Sequence, residues 1–201
     1  MITLISQMKL KARSGHITPR AISIQHLLLR LMKPLLMSSS NAVEVESDPY
    51  SVAQTIALMA LGRRAKSRGE LFTLLKKRGI EEEVANAVLF RLQEQGFIND
   101  YEFARYWSES RQRTKKVSKR IIAGELRSKG ISDEIIEWIT SDITDDSEFS
   151  NALQFAERKV RSVRSLAPDV AYRRMHGALS RRGFSGHIVT RVLAELGVTR
   201  S

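Results

Sequence analysis

The sequence predicts an all-α fold of three tandem three-helix repeat modules in an elongated arrangement, and three observations predict it. Apolar residues recur at spacings of three and four from Ser51 onward, and no convincing run alternates at period 2. Pro168 is the single proline after Pro49, so the helical stretches meet few breakers. One segment also occurs three times, as Leu71 to Ile80, Ile122 to Ile131 and Met175 to Phe184, with glycines Gly79, Gly130 and Gly183 lying 51 and 53 residues apart.

Residues 1–50 are expected to be an N-terminal extension and linker of poor order. Residues 1–36 hold six Lys/Arg and no acid, their apolar residues are scattered around Pro19 and Pro34, and a polar stretch from Ser38 to Pro49 follows. A targeting peptide is disfavoured, because charge interrupts the apolar part and no small-residue cleavage site follows it. The greasiest window, Ile22 to Met37, contains His26, Arg30, Lys33 and Pro34, which excludes a membrane span there.

The repeats are expected at 51–99, 100–146 and 147–201, each opening with a long helix at about 52–66, 100–115 and 147–164. The repeated segment is the second helix of each. Its buried stripe is an i, i+4 pair (Leu71/Leu75, Ile122/Leu126, Met175/Leu179), cations in its last turn suit the negative end of the helix dipole, and glycine supplies a left-handed stop. Ile80, Ile131 and Phe184 then make the apolar contact that accompanies such a stop. Val84/Val88, Ile135/Ile139 and Ile188/Val192 mark third helices. Ser67 with Glu70, and Asn99 with Glu102, have capping-box spacing. Phe103 and Trp107 give the middle repeat its apolar face.

Charge points to the class of partner. The chain carries 33 Lys+Arg against 22 Asp+Glu, a formal +11, and implies an extended polyanion such as nucleic acid. Without residues 1–50 the balance is 27 to 19, so the excess belongs to the helical part. Absence of cysteine excludes disulfides, thiol nucleophiles and thiolate zinc sites, and fits a reducing cytoplasm. No phosphate-loop, dinucleotide-binding or zinc-protease motif is present. His16 and His26 lie in the extension, while His176 and His187 read as packed or solvated. Asp142, Asp145, Asp146 and Glu148 read as a solvated loop with helix caps rather than a magnesium site. The expectation is a protein with no catalytic site, cofactor, metal or small-molecule substrate.

The densest basic feature is the corner from Arg111 to Arg120, which contains Arg111, Arg113, Lys115, Lys116, Lys119 and Arg120 and no acid. Lys116, Arg120 and Arg127 continue it as a stripe along the next helix. Ordinary salt-bridge balancing does not explain a run without acids, so these seven residues are the leading candidates for polyanion contact. Weaker candidates are Arg63, Arg64, Arg68, Arg161, Arg173, Arg174, Arg181 and Arg182, several of which sit in last turns where the dipole alone selects cations. Tyr101 and Tyr106 are candidates for stacking on unpaired bases.

From about Val52 to Gly197 the chain resembles the RecX family, bacterial regulators of the RecA recombinase. The first repeat carries Ala57-Leu58, Arg63-Arg64, Ser67-Arg68-Gly69-Glu70-Leu71 and Leu75-Lys76-Lys77-Arg78-Gly79. The second carries Gly96-Phe97-Ile98-Asn99-Asp100, Phe103-Ala104, Ser110-Arg111, Lys119-Arg120-Ile121, Glu125-Leu126 and Lys129-Gly130-Ile131, and the third Arg181-Arg182-Gly183-Phe184-Ser185. One departure is Val117-Ser118, where the family commonly places a Gly-Pro turn. The resemblance implies a monomeric, cytoplasmic, non-enzymatic inhibitor that lies in the groove of the RecA nucleoprotein filament and opposes its ATPase, strand exchange and SOS induction. It implies RecA and single-stranded DNA as partners, with double-stranded DNA secondary and no membrane. The alternative is a stand-alone helix-turn-helix DNA-binding regulator, since short helices joined at glycine turns also describe that motif.

Overall fold

A computed structural model describes residues 48–200. Apart from Asp48–Tyr50, the expected extension, with His16 and His26, lies outside the described residues. Among the described residues there are nine α-helices, a short π-helical turn and no strand, and no helix is long and apolar enough to cross a membrane.

The first repeat consists of α1 (Pro49–Arg63), α2 (Arg68–Lys77) and α3 (Glu82–Glu94). In the second, α4 (Asp100–Ser110) runs into the π-turn Arg111–Lys115, then α5 (Lys119–Ser128) and α6 (Asp133–Ser141) follow. The third contains α7 (Asp145–Val160), α8 (Pro168–Arg181) and α9 (Gly186–Glu195). The opening helices differ from their expected spans for local reasons. Asp48 accepts the Tyr50 N–H and Pro49 needs no partner at the first helical position, so α1 begins at Pro49, inside the stretch expected to be disordered. Thr144 caps α7 in the same way, by accepting the Ser147 N–H. At its other end α4 stops at Ser110, because the backbone widens into the π-turn and Lys116 enters the left-handed region at φ 50°.

Each repeat has its own core. Ala53, Ala57 and Ala60 of α1 close on Leu71, Leu75, Val88, Leu89 and Leu92. Phe103, Ile122, Leu126, Ile136 and Ile139 fill the second, and Ala152, Ala156, Met175, Leu179, Val189 and Val192 the third. The repeated segment therefore does what its periodicity predicts. Its i, i+4 pairs are fully buried, and Gly79, Gly130 and Gly183 have φ of 79°, 73° and 86°. After the first two glycines the Ile80 and Ile131 N–H groups reach back to Leu75 O and Leu126 O at 3.1 and 3.2 Å, which closes the helix end.

Successive repeats meet through one recurring contact. The N-cap serine of a second helix sits against the glycine stop of the next repeat's second helix. Ser67 Oγ accepts the Glu70 N–H at 3.0 Å and donates to Lys129 O at 2.5 Å. Gly69 is packed so tightly on Gly130 that a Cβ on Gly130 would stand 2.8 Å from Gly69 Cα. One junction later, the Ser118 N–H donates to Arg182 O at 3.0 Å, and a Cβ on Gly183 would collide with Ser118 Oγ and with Ile121 Cγ1 at 2.5 Å. In both junctions an acid from the next repeat's opening helix accepts the first helical N–H: Asp100 from Arg68 at 2.7 Å and Glu148 from Lys119 at 2.8 Å. Burial pushes the Asp100 carboxyl above its ordinary pKa, against the pull of the Arg68 N–H and charge. The end members lack these parts. Nothing lies within 4 Å of a Cβ built on Gly79, and α8 begins with Ala167-Pro168, which offers neither a hydroxyl nor the first helical N–H.

The three stops are consequently unequal. Gly79→Val is expected to lower stability by about 1–2 kcal/mol, the cost of a left-handed β-branched residue. Gly130→Val adds overpacking against Gly69, about 1–3 kcal/mol more, and Gly69→Ala should destabilise although alanine is the better helix former. Urea unfolding of the three variants checks this order, and equal midpoints for Gly79→Val and Gly130→Val would refute the junction account.

Candidate functional site

The corner expected to display free cations is mostly engaged within the fold. Arg111 Nε pairs with the Glu125 carboxylate, and its guanidinium lies 4.1 Å from the Trp107 ring centroid. Trp107 Nε1 donates to the same carboxylate at 2.7 Å, while Lys129 Nζ stands 3.9 Å from the centroid of the ring. Lys116 Nζ reaches Asn151 Oδ1 at 3.2 Å, and Lys119 Nζ reaches Asp145 at 3.2 Å and Glu148 at 3.9 Å. Arg120 Nε donates to Gly183 O at 3.4 Å, and Arg127 pairs with Asp133 at 2.8 Å. Arg113 and Lys115 are exposed, without an acid within 4 Å among the described residues.

The premise that the run lacks balancing acids is thus corrected. Acids absent from residues 111–120 arrive from Glu125, Asp145 and Glu148, which lie 14, 26 and 29 residues beyond the cations they meet. The same contacts engage three of the four clustered acids: Asp145 and Glu148 hold Lys119, and Asp146 stands 3.8 Å from Arg191.

The weaker candidates divide. Arg64 pairs with Glu70 at 3.0 Å, and Arg68 reaches Asn86 Oδ1 at 2.7 Å. Arg63 and Arg161 are exposed. Burial pushes the Glu70 carboxyl up, but hydrogen bonds and charge from Arg64 and Lys129 outweigh it and hold the group at about 2. Arg182 stacks 4.1 Å from the Phe155 ring centroid, and burial together with the charge of Arg158 pushes its pKa down. Arg173, Arg174 and Arg181 come together with Lys159 around a concavity of 610 Å³ between the end of α7 and α8, over Val163 and Val170. Lys159, which the sequence groups with Arg158, Arg161 and Arg164 but which is not among the candidates named from it, is the fourth member of this group. It lies in the last turn of α7, where the helix dipole alone favours a cation, and nothing local shows that α8 brings three arginines to it. Of the two candidate stacking rings, Tyr101 packs on Trp138 at 4.3 Å, whereas Tyr106 is exposed beneath the Arg105 guanidinium at 4.8 Å.

Comparison with known proteins follows the same division into repeats. Family models described as the first, second and third three-helix domains of RecX match residues 53–92, 99–138 and 146–193. The chain is 38% identical over 160 residues to the regulatory protein RecX of Streptomyces coelicolor, covering 79% of this chain and 85% of that protein. It is 39% identical over 151 residues to the regulatory protein RecX of Mycobacterium avium, covering 74% and 87%. The crystal structure of RecX from Lactobacillus salivarius superposes with a TM-score of 0.68 at 23% identity over 76% of this chain and 99% of that one, a likeness of fold.

Two outcomes are expected from this geometry. Glu70 has a depressed pKa, so its stabilising contribution is complete above its ordinary value of 4.5 and is lost as pH falls toward about 2. The urea midpoint of Glu70→Gln should therefore fall less steeply over that acid range than that of the wild type, and parallel curves would show that other carboxylates carry the acid limb. Replacing Lys116, Lys119 and Arg120 together by Ala should lower stability by about 1–2 kcal/mol, because each lost pair or hydrogen bond contributes on the order of 0.5–1 kcal/mol. Lys76→Ala/Lys77→Ala/Arg78→Ala, with one long pair to Glu82 at 3.9 Å, should change it less.

Proposed function

The chain belongs to the RecX family, and from that premise we propose that it is a non-enzymatic regulator that binds the RecA nucleoprotein filament and inhibits its ATPase, strand exchange and SOS induction. The observation that carries this reading is the ordered match of three successive RecX domains to the three helical repeats. The regulatory part is supported by the relatives at 38–39% identity, both of them regulatory proteins by name. Those names also favour it over the stand-alone helix-turn-helix alternative. The acting part comprises the repeats 51–99, 100–146 and 147–201, working as a cytoplasmic monomer.

Mechanistically, tandem modules suit a filament because linked contacts to neighbouring protomers raise the local concentration of each next contact. The filament groove presents acidic protein surface and DNA phosphate together, so both exposed and internally paired cations have roles. Paired ones such as Lys119 and Arg111 set the geometry between and within repeats. Exposed ones, including Arg113, Lys115, Arg161, Arg173, Arg174 and Arg181, meet the polyanion. Single-stranded DNA is the main nucleic-acid partner and double-stranded DNA the secondary one.

The test is ATP hydrolysis by RecA on single-stranded DNA. Sub-stoichiometric protein should slow it, and the protein alone should hydrolyse no nucleotide. Undiminished ATPase and strand exchange at saturating protein would overturn the proposal and leave the helix-turn-helix reading as the better account.

A further inference from the structure

Much of the excess positive charge of the third repeat meets no acid within the fold, although Arg182 stacks on Phe155 and Arg173 Nε donates to Asp169 O at 3.3 Å. Between Arg158 and Arg182 the chain holds eight cations and one acid, Asp169. Four of these cations, Lys159, Arg173, Arg174 and Arg181, rim the α7–α8 concavity over an apolar floor, and none has an acid within 4 Å among the described residues. Dipole complementarity can select Lys159 and Arg181, which end their helices, but Arg173 and Arg174 stand in the middle of α8. Arg181 is held against its own helix, since a Cβ on Gly177 would lie 3.2 Å from its guanidinium. The repeat's remaining acids do not reach the rim: Asp145, Asp146 and Glu148 are turned to Lys119 and Arg191, and neither Glu157 nor Glu195 comes within 4 Å of a rim cation among the described residues. Like charges gathered in a concave site raise the energy of the free protein, and an anion relieves it.

We infer that this concavity takes the phosphodiester backbone of a nucleic acid strand. Guanidinium groups match phosphate oxygens in bidentate geometry and keep their charge at any working pH. The nearest aromatic ring on α8, Tyr172, is half-buried and stacked with His176 at 5.9 Å, so the site offers charge without a free stacking platform. Binding is therefore backbone-directed and tolerant of base identity. The inference rests on the polyanion part of the proposed function and is independent of the part that concerns RecA.

The experiment is fluorescence anisotropy of the full chain with labelled oligo-dT across a salt series. Each phosphate contact on a single strand contributes about −0.7 to the slope of log affinity against log salt. Arg173→Ala/Arg174→Ala/Arg181→Ala should make the slope shallower by about 2, with unchanged circular dichroism, and oligo-dA should behave as oligo-dT does. The control Lys76→Ala/Lys77→Ala/Arg78→Ala removes the same charge from the first repeat and should change the slope less. Equal loss in both variants, or an unchanged slope in the third-repeat variant, would overturn the inference. Displacement of the strand by oligo-glutamate as readily as by unlabelled oligo-dT would also overturn it, because the concavity would then take acidic protein surface. Lost DNA binding with RecA inhibition intact supports the site. A wild type that binds DNA here but leaves RecA untouched supports it too, and refutes the proposed function alone.

Discussion

The contact of an N-cap serine with the glycine stop of the following repeat sets the register of the described helices. A second helix of ten residues can bury only its own pair of apolar side chains, so each repeat builds a small separate core. What joins the cores is close approach at helix ends, backbone to backbone at Gly69 on Gly130 and backbone to side chain at Gly183 on Ser118 and Ile121. Such approach requires positions without a Cβ and donors and acceptors already aligned at helix ends, which is what the cap and the stop supply. The same residues thus end one helix and dock another. A tandem array in which each unit touches its neighbour in this way distributes its stability over repeats and the contacts between them.

Charge is divided by the same arrangement. Because the junctions bring helix starts against helix ends, acids at the openings of α4 and α7 fall beside the N–H groups and cations that begin α2 and α5. The corner after α4 is thereby drawn into structural work, with Arg111 bound to Glu125 across the Trp107 ring and Lys119 bound to the opening turn of α7. In the third repeat, Lys159, Arg173, Arg174 and Arg181 have no acid within 4 Å among the described residues. These four face solvent around the α7–α8 concavity.

The departure at Val117-Ser118 acquires a physical meaning in this setting. A proline at that turn would have no N–H, whereas Ser118 donates its N–H to Arg182 O at 3.0 Å and caps α5 through the Ile121 N–H at 3.4 Å. The preceding Lys116 takes the left-handed conformation that closes the π-turn. Flexibility that glycine would bring to the corner is replaced by a hydrogen-bonded junction resembling the Ser67 junction one repeat earlier.

Helix identity and the threefold repeat were legible from sequence because they depend on local physics. A 3.6-residue period, a cap three residues from an acid and a glycine at a helix end act within one or two turns, so Leu71/Leu75 and Gly79 announce themselves without their neighbours. Helix limits were less legible at α4, where a π-turn leaves no periodic mark. The fate of the charged residues was not legible at all. Whether Lys119 faces a polyanion or Glu148 depends on contacts 29 residues apart, and Arg173 and Lys159 become one site when α8 folds beside α7. Sequence alone determined the all-helical repeats and the net positive charge, since periodicity and composition are properties of the chain itself. Tertiary structure alone decided which cations are neutralised and which stay free, because Coulomb interactions follow distance in space and the fold brings distant parts of the chain within reach of each other.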